Sequence, residues 1–337
     1  MSDVLCRVAL DAMGGDNAPQ SNIKGAVEAI GLSDKLDVTL VGREDVIKKE
    51  LEKYEYDEKR LHVLHAEEVI ETGDPPVLSI RRKKESSIVK ALNLVKQGQA
   101  DAFVSAGSSG AILVGGQVIV GKIQGVERPA MAPIMPTESG ISLLVDAGGN
   151  MDSRPSQLVQ WAKMGSIYME NCFGIKNPRV AIVNVGLEEE KGNNLVKETF
   201  PLLKECKDIN FIGSIEARNI PKGDADVIVC DAFVGNVILK LYEGTAKAML
   251  HMLKKTFLHS FKTKMGALLV KKQLKEDFKV LDASEHGGAP LIGLNGLVVK
   301  AHGNSDAKEI HNACLQCLKF KEANITEKIS ATLNSNE

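Results

Sequence analysis

The sequence carries no excess charge of either sign. Its 42 basic and 44 acidic residues leave a net charge of -2, a balance that argues against a general nucleic-acid binder, which needs a basic surface. Residues 1–6, MSDVLC, lack the basic start and apolar stretch of a signal peptide, and no apolar run approaches a membrane span. A cytoplasmic chain is expected. Repeats, low-complexity tracts and linkers are missing too. The six cysteines are scattered, and the one CxxC pair, Cys314 with Cys317, has no second pair to complete a zinc site. In a strongly helical segment that pair reads as buried packing, with thiols reduced.

What is present is a chain of 337 residues, 44% hydrophobic and 26% charged, enough to bury a large core. Its apolar runs end repeatedly at glycine-rich turns. In VALDAMGGDNAP, from Val8 to Pro19, a strand is expected to finish at Asp11. Gly14 and Gly15 then allow a tight turn, and Asp16 or Asn17 is placed to cap a helix begun by Pro19. Backbone amides at such a turn favour an anion. The turn is neither GxGxxG nor GxxxxGK[ST], so it names no nucleotide.

The same punctuation returns along the chain. Ala102 to Ser105 reads as a strand running into SAGSSGA, where Ser105, Ser108 and Ser109 add hydroxyls to the amides of Gly107 and Gly110. That mixture suits phosphate oxygens or a developing oxyanion, although a serine-rich helix cap would use the same residues. Ile141 to Val145 ends in DAGGN, with Asp146, Gly148 and Asn150. Val180 to Val183 ends at Asn184, followed by a turn holding Lys191, and Val227 to Cys230 ends at Asp231 before AFVGN, which closes on Asn236. Strands alternating with helices predict a mainly parallel α/β sheet, and the expectation is that Asp11, Ser105, Asp146, Asn184 and Asp231 converge on one cleft at one sheet edge.

Two basic stretches stand out. Arg81 to Lys84 forms a block of four cations whose bland reading is a solvated helix face, yet four adjacent cations cannot share one face. From Gly235 the pattern becomes helical, and a hairpin is expected over about 236–275, turning near Gly266. Between Lys254 and Lys275 it holds seven lysines and no carboxylate. Lys254, Lys255, Lys262, Lys264, Lys271 and Lys272 could dock an acidic protein or an anionic lipid face, or simply solvate a dimer surface. In EHGGAPLIGLNGLVVKAHGNSD, His286 and His302 are candidate acid/base groups and Lys300 a candidate cation, while lone histidines in turns are commonly structural.

The motifs DAMGGD, SAGSSGA, DAGGN, RPSQLVQWAKMG, VNVGLEEEKGN, NFIGSIEARNI, CDAFVGNV, GGAPLIGLNG and KAHGNSD, in this order over essentially the whole chain, resemble the phosphate acyltransferases of bacterial phospholipid synthesis, the PlsX family. The family commonly has SAGNTGA where this chain has SAGSSGA, and glycine at Ala232. The resemblance implies one α/β domain over 1–334, with the hairpin as an excursion. Its fold would be a Rossmann-like three-layer α/β/α arrangement related to isopropylmalate dehydrogenases and phosphotransacetylases. It implies transfer of a long-chain fatty acyl group from acyl carrier protein to inorganic phosphate, giving acyl phosphate for a membrane glycerol-3-phosphate acyltransferase. A homodimer without cofactor or metal is implied, cytoplasmic or peripheral at the inner membrane face, with no role for nucleic acid.

Under that reading the turns at Asp11–Asn17, Ser105–Gly110 and Asp146–Asn150 hold phosphate and polarise the thioester, with Asn184, Asp231 and Asn236 beside them. Lys191, Lys300, His286 and His302 balance charge or protonate the departing thiolate. The carboxylates would repel phosphate, so they are expected to orient loops, accept amide hydrogen bonds or pair with cations. Two other functions compete. Four strand-end carboxylates could serve a metal- and NAD-dependent decarboxylating dehydrogenase, and the lysine hairpin could belong to a non-catalytic carrier-protein or membrane scaffold.

Overall fold

The computed structural model describes residues 5–280 and 287–334. Two compact units divide the chain. The first takes residues up to Pro133, Ile167–Lys176 and the C-terminal residues; the second takes Ile134–Ser166 and the stretch from Asn177 through the helical hairpin.

The first unit is built on a seven-stranded sheet. It comprises β1 (Cys6–Asp11), β2 (Leu36–Gly42), β3 (Leu61–His65), β4 (Ala102–Ser105), β5 (Ala130–Met131), β11 (Ala289–Ile292) and β12 (Leu297–Lys300), ordered β3-β2-β1-β4-β12-β11-β5. The first five strands of that order run parallel; β11 is antiparallel to β12 and to β5. Parallel strands covered on both faces need unbroken apolar runs, and Val8, Ala9, Leu10, Phe103, Val104, Val298 and Val299 are all buried.

Its helices are α1 (Gln20–Leu32), α2 (Glu44–Leu51), α3 (Pro76–Arg82), α4 (Ser87–Lys96), α5 (Ser109–Gly115, extended by a π turn to Val120), α10 (Ala307–Glu322) and α11 (Ile325–Asn334). Side chains cap the starts of α4 and α10: Ser86 Oγ accepts from Val89 N at 3.4 Å, and Asp306 Oδ1 accepts from Glu309 N at 2.9 Å. Helix α1 lies tightly on α10, since a Cβ on Gly25 would stand 2.6 Å from Ile310 Cβ. Cys314 and Cys317 are buried on α10 as unbridged thiols, as their spacing in a helix suggests.

The second unit holds β6 (Ile134–Thr137), β7 (Gly140–Val145), β8 (Arg179–Val183), β9 (Asn210–Ile215) and β10 (Val227–Val229), ordered β6-β7-β10-β8-β9. Only β6 is antiparallel. Strand β9 continues past Ile212, because a bulge there lets Gly213 resume pairing with Ala181. Helix α6 (Pro155–Phe173) belongs to both units; α7 (Asn194–Glu205) follows β8. Its core gathers Met135, Leu144, Ala181, Ile215, Ile220 and Ile228, against Val234, Ile238, Leu239 and Tyr242 of α8 (Ala232–Leu258).

Helix α8 and α9 (Phe261–Val280) form the hairpin. Its turn is at His259–Ser260 and not near Gly266, which sits inside α9. The reason is a reciprocal cap: Ser260 N donates to Thr263 Oγ1 at 2.9 Å and Thr263 N to Ser260 Oγ at 3.2 Å. Among the described residues, no helix is long and apolar enough to cross a membrane.

Candidate active site

The strand order of the first unit decides where a ligand can go. From β1 the chain moves outward through β2 and β3, then returns to place β4 on the opposite side of β1. The order therefore reverses between β1 and β4, and a crevice opens beyond the carboxyl ends of strands at such a reversal. Asp11 ends β1, Ser105 ends β4, and Lys300 ends β12 and pairs in register with Ser105. Three candidate side chains stand on three neighbouring parallel strands.

Hydrogen bonds tie these ends into one framework. Ser105 Oγ donates to Asp11 Oδ2 at 2.7 Å and accepts from Gly107 N at 2.9 Å, while Met13 N donates to Asp11 Oδ1 at 3.0 Å. Gly14 must be glycine, since a Cβ would sit 2.7 Å from Gly107 N. Ser108 caps α5 through Ala111 N at 3.4 Å, Ser109 is exposed and Gly110 is half-buried. The β1–α1 turn also grips the loop after β12: Asp16 N donates to Gly303 O at 2.7 Å, and Asn17 Nδ2 to Asn304 O at 2.9 Å and Ser305 O at 3.2 Å. This corrects the capping expectation. Pro19 occupies the N-cap of α1 with no side-chain cap, because Asn17 is spent on the distant loop. Gly15, with φ of 101°, makes the bend that lets it reach.

Burial pushes the Asp11 carboxyl upward, although hydrogen bonds from Ser105 and from the amides of Met13 and Gly14 pull the other way. Lys300 is buried as well, and loss of solvent lowers its ammonium to about 8, with Asp11 and then Asp16 opposing the drop. Its Nζ reaches Ala106 O at 3.5 Å and also Ala301 O. The result is a cation held beside the amide-rich SAGSSGA loop. On the loop that follows Lys300, His302 is exposed, and its Nδ1 lies 3.5 Å from Asn304 N. His286 lies outside the described residues.

The remaining candidates are in the second unit, so the single sheet edge expected from the strand pattern is two edges on two sheets. Strand–helix alternation reports that sheets are parallel and not how many there are. Asp146 accepts from Gly149 N at 3.0 Å and from Asn150 N and Nδ2, each at 2.7 Å, in a turn where Gly148 has φ of 138°. Asp231 caps α8, accepting from Phe233 N at 2.9 Å and Val234 N at 3.0 Å; Asn236, half-buried, lies one turn further on. Asn184 Nδ2 donates to Lys191 O at 3.2 Å and Ser214 Oγ at 3.1 Å. Lys191 pairs with Glu188 at 2.8 Å, which raises the lysine and lowers the glutamate. The six hairpin lysines, Lys254 through Lys272, are all exposed.

Two contributors escaped the sequence reading. Asn22 is buried and its Nδ2 donates to Asp11 O at 3.1 Å, Ala12 O at 3.3 Å and Gly14 O at 2.9 Å, fixing the glycine turn from below. An amide on the apolar stripe of α1 was the available signal. Ser305 Oγ is buried without a partner, and nothing local in KAHGNSD marks it.

Strand order defines the class: an α/β protein with a crevice at a topological switch point. Solved structures of this class are a phosphotransacetylase from Streptococcus pyogenes, at TM-score 0.60 and 16% identity over 94% of both chains. A 4-hydroxythreonine-4-phosphate dehydrogenase from Klebsiella pneumoniae follows at 0.50 and 14%, over 94% of this chain and 99% of that one. These likenesses concern the fold alone. The family model described as fatty acid synthesis protein matches residues 6–328, and the chain belongs to that family, the PlsX phosphate acyltransferases. The phosphate acyltransferase of Alkaliphilus oremlandii is 52% identical over 329 residues, covering 98% of each chain. That of Clostridium botulinum is 50% identical over 324 residues, covering 96% of this chain and 97% of its own. The chain is an acyltransferase that takes phosphate as acyl acceptor, which sets aside the dehydrogenase and scaffold readings.

Proposed function

We propose that the acyl donor is long-chain acyl carrier protein and that the product, acyl phosphate, feeds phospholipid synthesis through a membrane glycerol-3-phosphate acyltransferase. The observation that carries the reading is the crevice at β1, β4 and β12, where buried Lys300 faces two turns rich in amides and hydroxyls. Phosphate binds there, its charge balanced by the Lys300 ammonium and its oxygens held by the Ser105–Gly110 loop and the Gly14–Gly15 turn.

The reaction needs no protein nucleophile. A phosphate oxygen attacks the thioester carbonyl carbon, the carbon–sulfur bond breaks, and the proton of hydrogen phosphate ends on the departing thiolate with His302 as carrier. Positioning and oxyanion stabilisation supply the rate. Asp11 acts through Ser105, whose hydroxyl it orients, so the negative carboxylate serves the anion site without touching the anion. The hairpin, with exposed Phe261, Leu268 and Leu269 among lysines, supports association with a second copy and with an anionic bilayer face.

The test is thiol release from palmitoyl-acyl carrier protein by the purified chain, with and without inorganic phosphate, tracing labelled phosphate. Phosphate-dependent release with label in acyl phosphate is expected. Release that ignores phosphate would mean a thioesterase.

A further inference from the structure

Helix α3 carries a surface that the crevice does not use. Ser79 and Ile80 are buried, whereas Val77 and Leu78 are 56% and 46% exposed and Arg81 and Arg82 are exposed beside them. Positions 77, 78, 81 and 82 are neighbours on a helix, so the four side chains form one contiguous face. Two cations of the basic block are already engaged. Lys83 pairs with Asp74 at 2.6 Å and donates to Val69 O at 2.8 Å, and Lys84 donates to Ile80 O at 3.2 Å. Among the described residues no carboxylate pairs with Arg81 or Arg82. A merely solvated face would not set two apolar side chains against two unpaired arginines. Arginine next to exposed aliphatic groups is interface composition, with the guanidinium fork suited to carboxylates.

The position of this face matters. Pro76, at the start of α3, packs on Gly110 at the start of α5, where a Cβ would stand 2.5 Å from Pro76 Cγ. Arg81 and Arg82 therefore lie about 8–9 Å along the helix axis from the SAGSSGA loop. We infer that the Val77–Leu78–Arg81–Arg82 face docks an acidic protein that carries the acyl thioester on a flexible arm, so that the arm enters the crevice over Gly110. The inference rests on the carrier-borne donor proposed above and adds where that donor binds.

The experiment compares two donors, an acyl-carrier-protein thioester and an acyl-pantetheine thioester with no protein attached. The double substitution Arg81→Glu with Arg82→Glu raises KM for the protein-borne donor about tenfold or more, with kcat and the small-thioester kinetics unchanged. Salt raises the wild-type KM and leaves that of the variant flat. Arg81→Lys with Arg82→Lys, which keeps the charge, recovers most of the loss. An unchanged KM for the carrier thioester overturns the docking face, as does an equal loss with both donors, which would put the arginines in the site itself. A wild-type chain that turns over acyl-pantetheine and not the carrier thioester removes the donor reading and the docking face together. That result is distinct from a wild type using both donors beside an unaffected variant. Charge reversal at Lys262 and Lys264 serves as the contrast; a carrier KM that moves there and not on α3 overturns the proposal in favour of the hairpin.

Discussion

Lys300 and Asp11 are buried at the ends of β12 and β1, with β4 between them, and loss of solvent lowers the lysine and raises the carboxyl. Loss of solvent brings Lys300 to about 8, so the ammonium is present at neutral pH and disappears as pH rises through that value. If it balances phosphate charge, KM for phosphate rises as pH climbs past about 8. Lys300→Met raises KM at pH 7 by roughly 10- to 100-fold, from about 1.5–3 kcal/mol for a charged hydrogen bond, and removes the pH step. Steady-state kinetics across pH 6.5–9.5 on wild type and variant check both. Stability moves in the opposite sense. Between the lowered folded value and the ordinary lysine value the unfolded chain binds more protons, so wild-type stability climbs with pH in that window. The same slope is lost in Lys300→Met, as urea midpoints will show. Asp11→Asn removes the main group opposing the fall of Lys300, so the phosphate KM step shifts to lower pH, while kcat drops because Ser105 loses its orienting carboxylate.

At the scale of elements, the contact between the β1–α1 turn and the β4–α5 loop depends on a bare backbone. Gly14→Ala would drive a methyl group to 2.7 Å from Gly107 N, which destabilises the fold by about 1–3 kcal/mol and spreads the two turns proposed to hold phosphate. Gly31, in the last turns of α1, has nothing within 4 Å of an added Cβ, so Gly31→Ala stabilises by about 0.5–1 kcal/mol without touching activity. Thermal unfolding and turnover of the pair separate a packing constraint from a general intolerance of alanine.

These elements also show how far the sequence could be read. Strand ends and glycine turns were legible because an apolar run must stop where its backbone turns, and that is local information. Lys300 was legible as a cation but not as the neighbour of Ser105, because insertion of β12 beside β4 joins residues from opposite ends of the chain. The division of five strand ends between two sheets was hidden for the same reason. Asn17 looked like a cap, since capping is a local rule, and its actual partners lie in the Asn304–Ser305 loop. The hairpin turn was misplaced because Gly266 is the local helix breaker, whereas the Ser260–Thr263 cap needs only two hydroxyls.

For the whole molecule, the near-neutral net charge conceals a separation of surfaces. The second unit ends in a hairpin whose α9 exposes Phe261 at 80% and Leu269 at 85%, among Lys262, Lys264, Lys271 and Lys272. Helix α8 exposes Leu241, Met249 and Met252. An isolated copy in water would leave a large apolar area uncovered, and two kinds of cover are available. The part of α8 around Leu241, where Glu243 stands between Lys240 and Lys247, suits a second copy, while α9, apolar and more densely basic, suits an anionic bilayer face. Leu268→Asp with Leu269→Asp should then reduce binding to vesicles rich in anionic lipid by at least about tenfold, since burying one leucine contributes about 1.5–3 kcal/mol. Sedimentation should give the same association state as for the wild-type chain, and phosphate-dependent thiol release in solution should be unchanged, because the proposed crevice belongs to the first unit. Flotation at rising salt separates the two components of binding: the lysine contribution weakens with ionic strength, and the leucine contribution does not. A lower association state in this variant than in the wild type would instead assign α9 to a contact between copies.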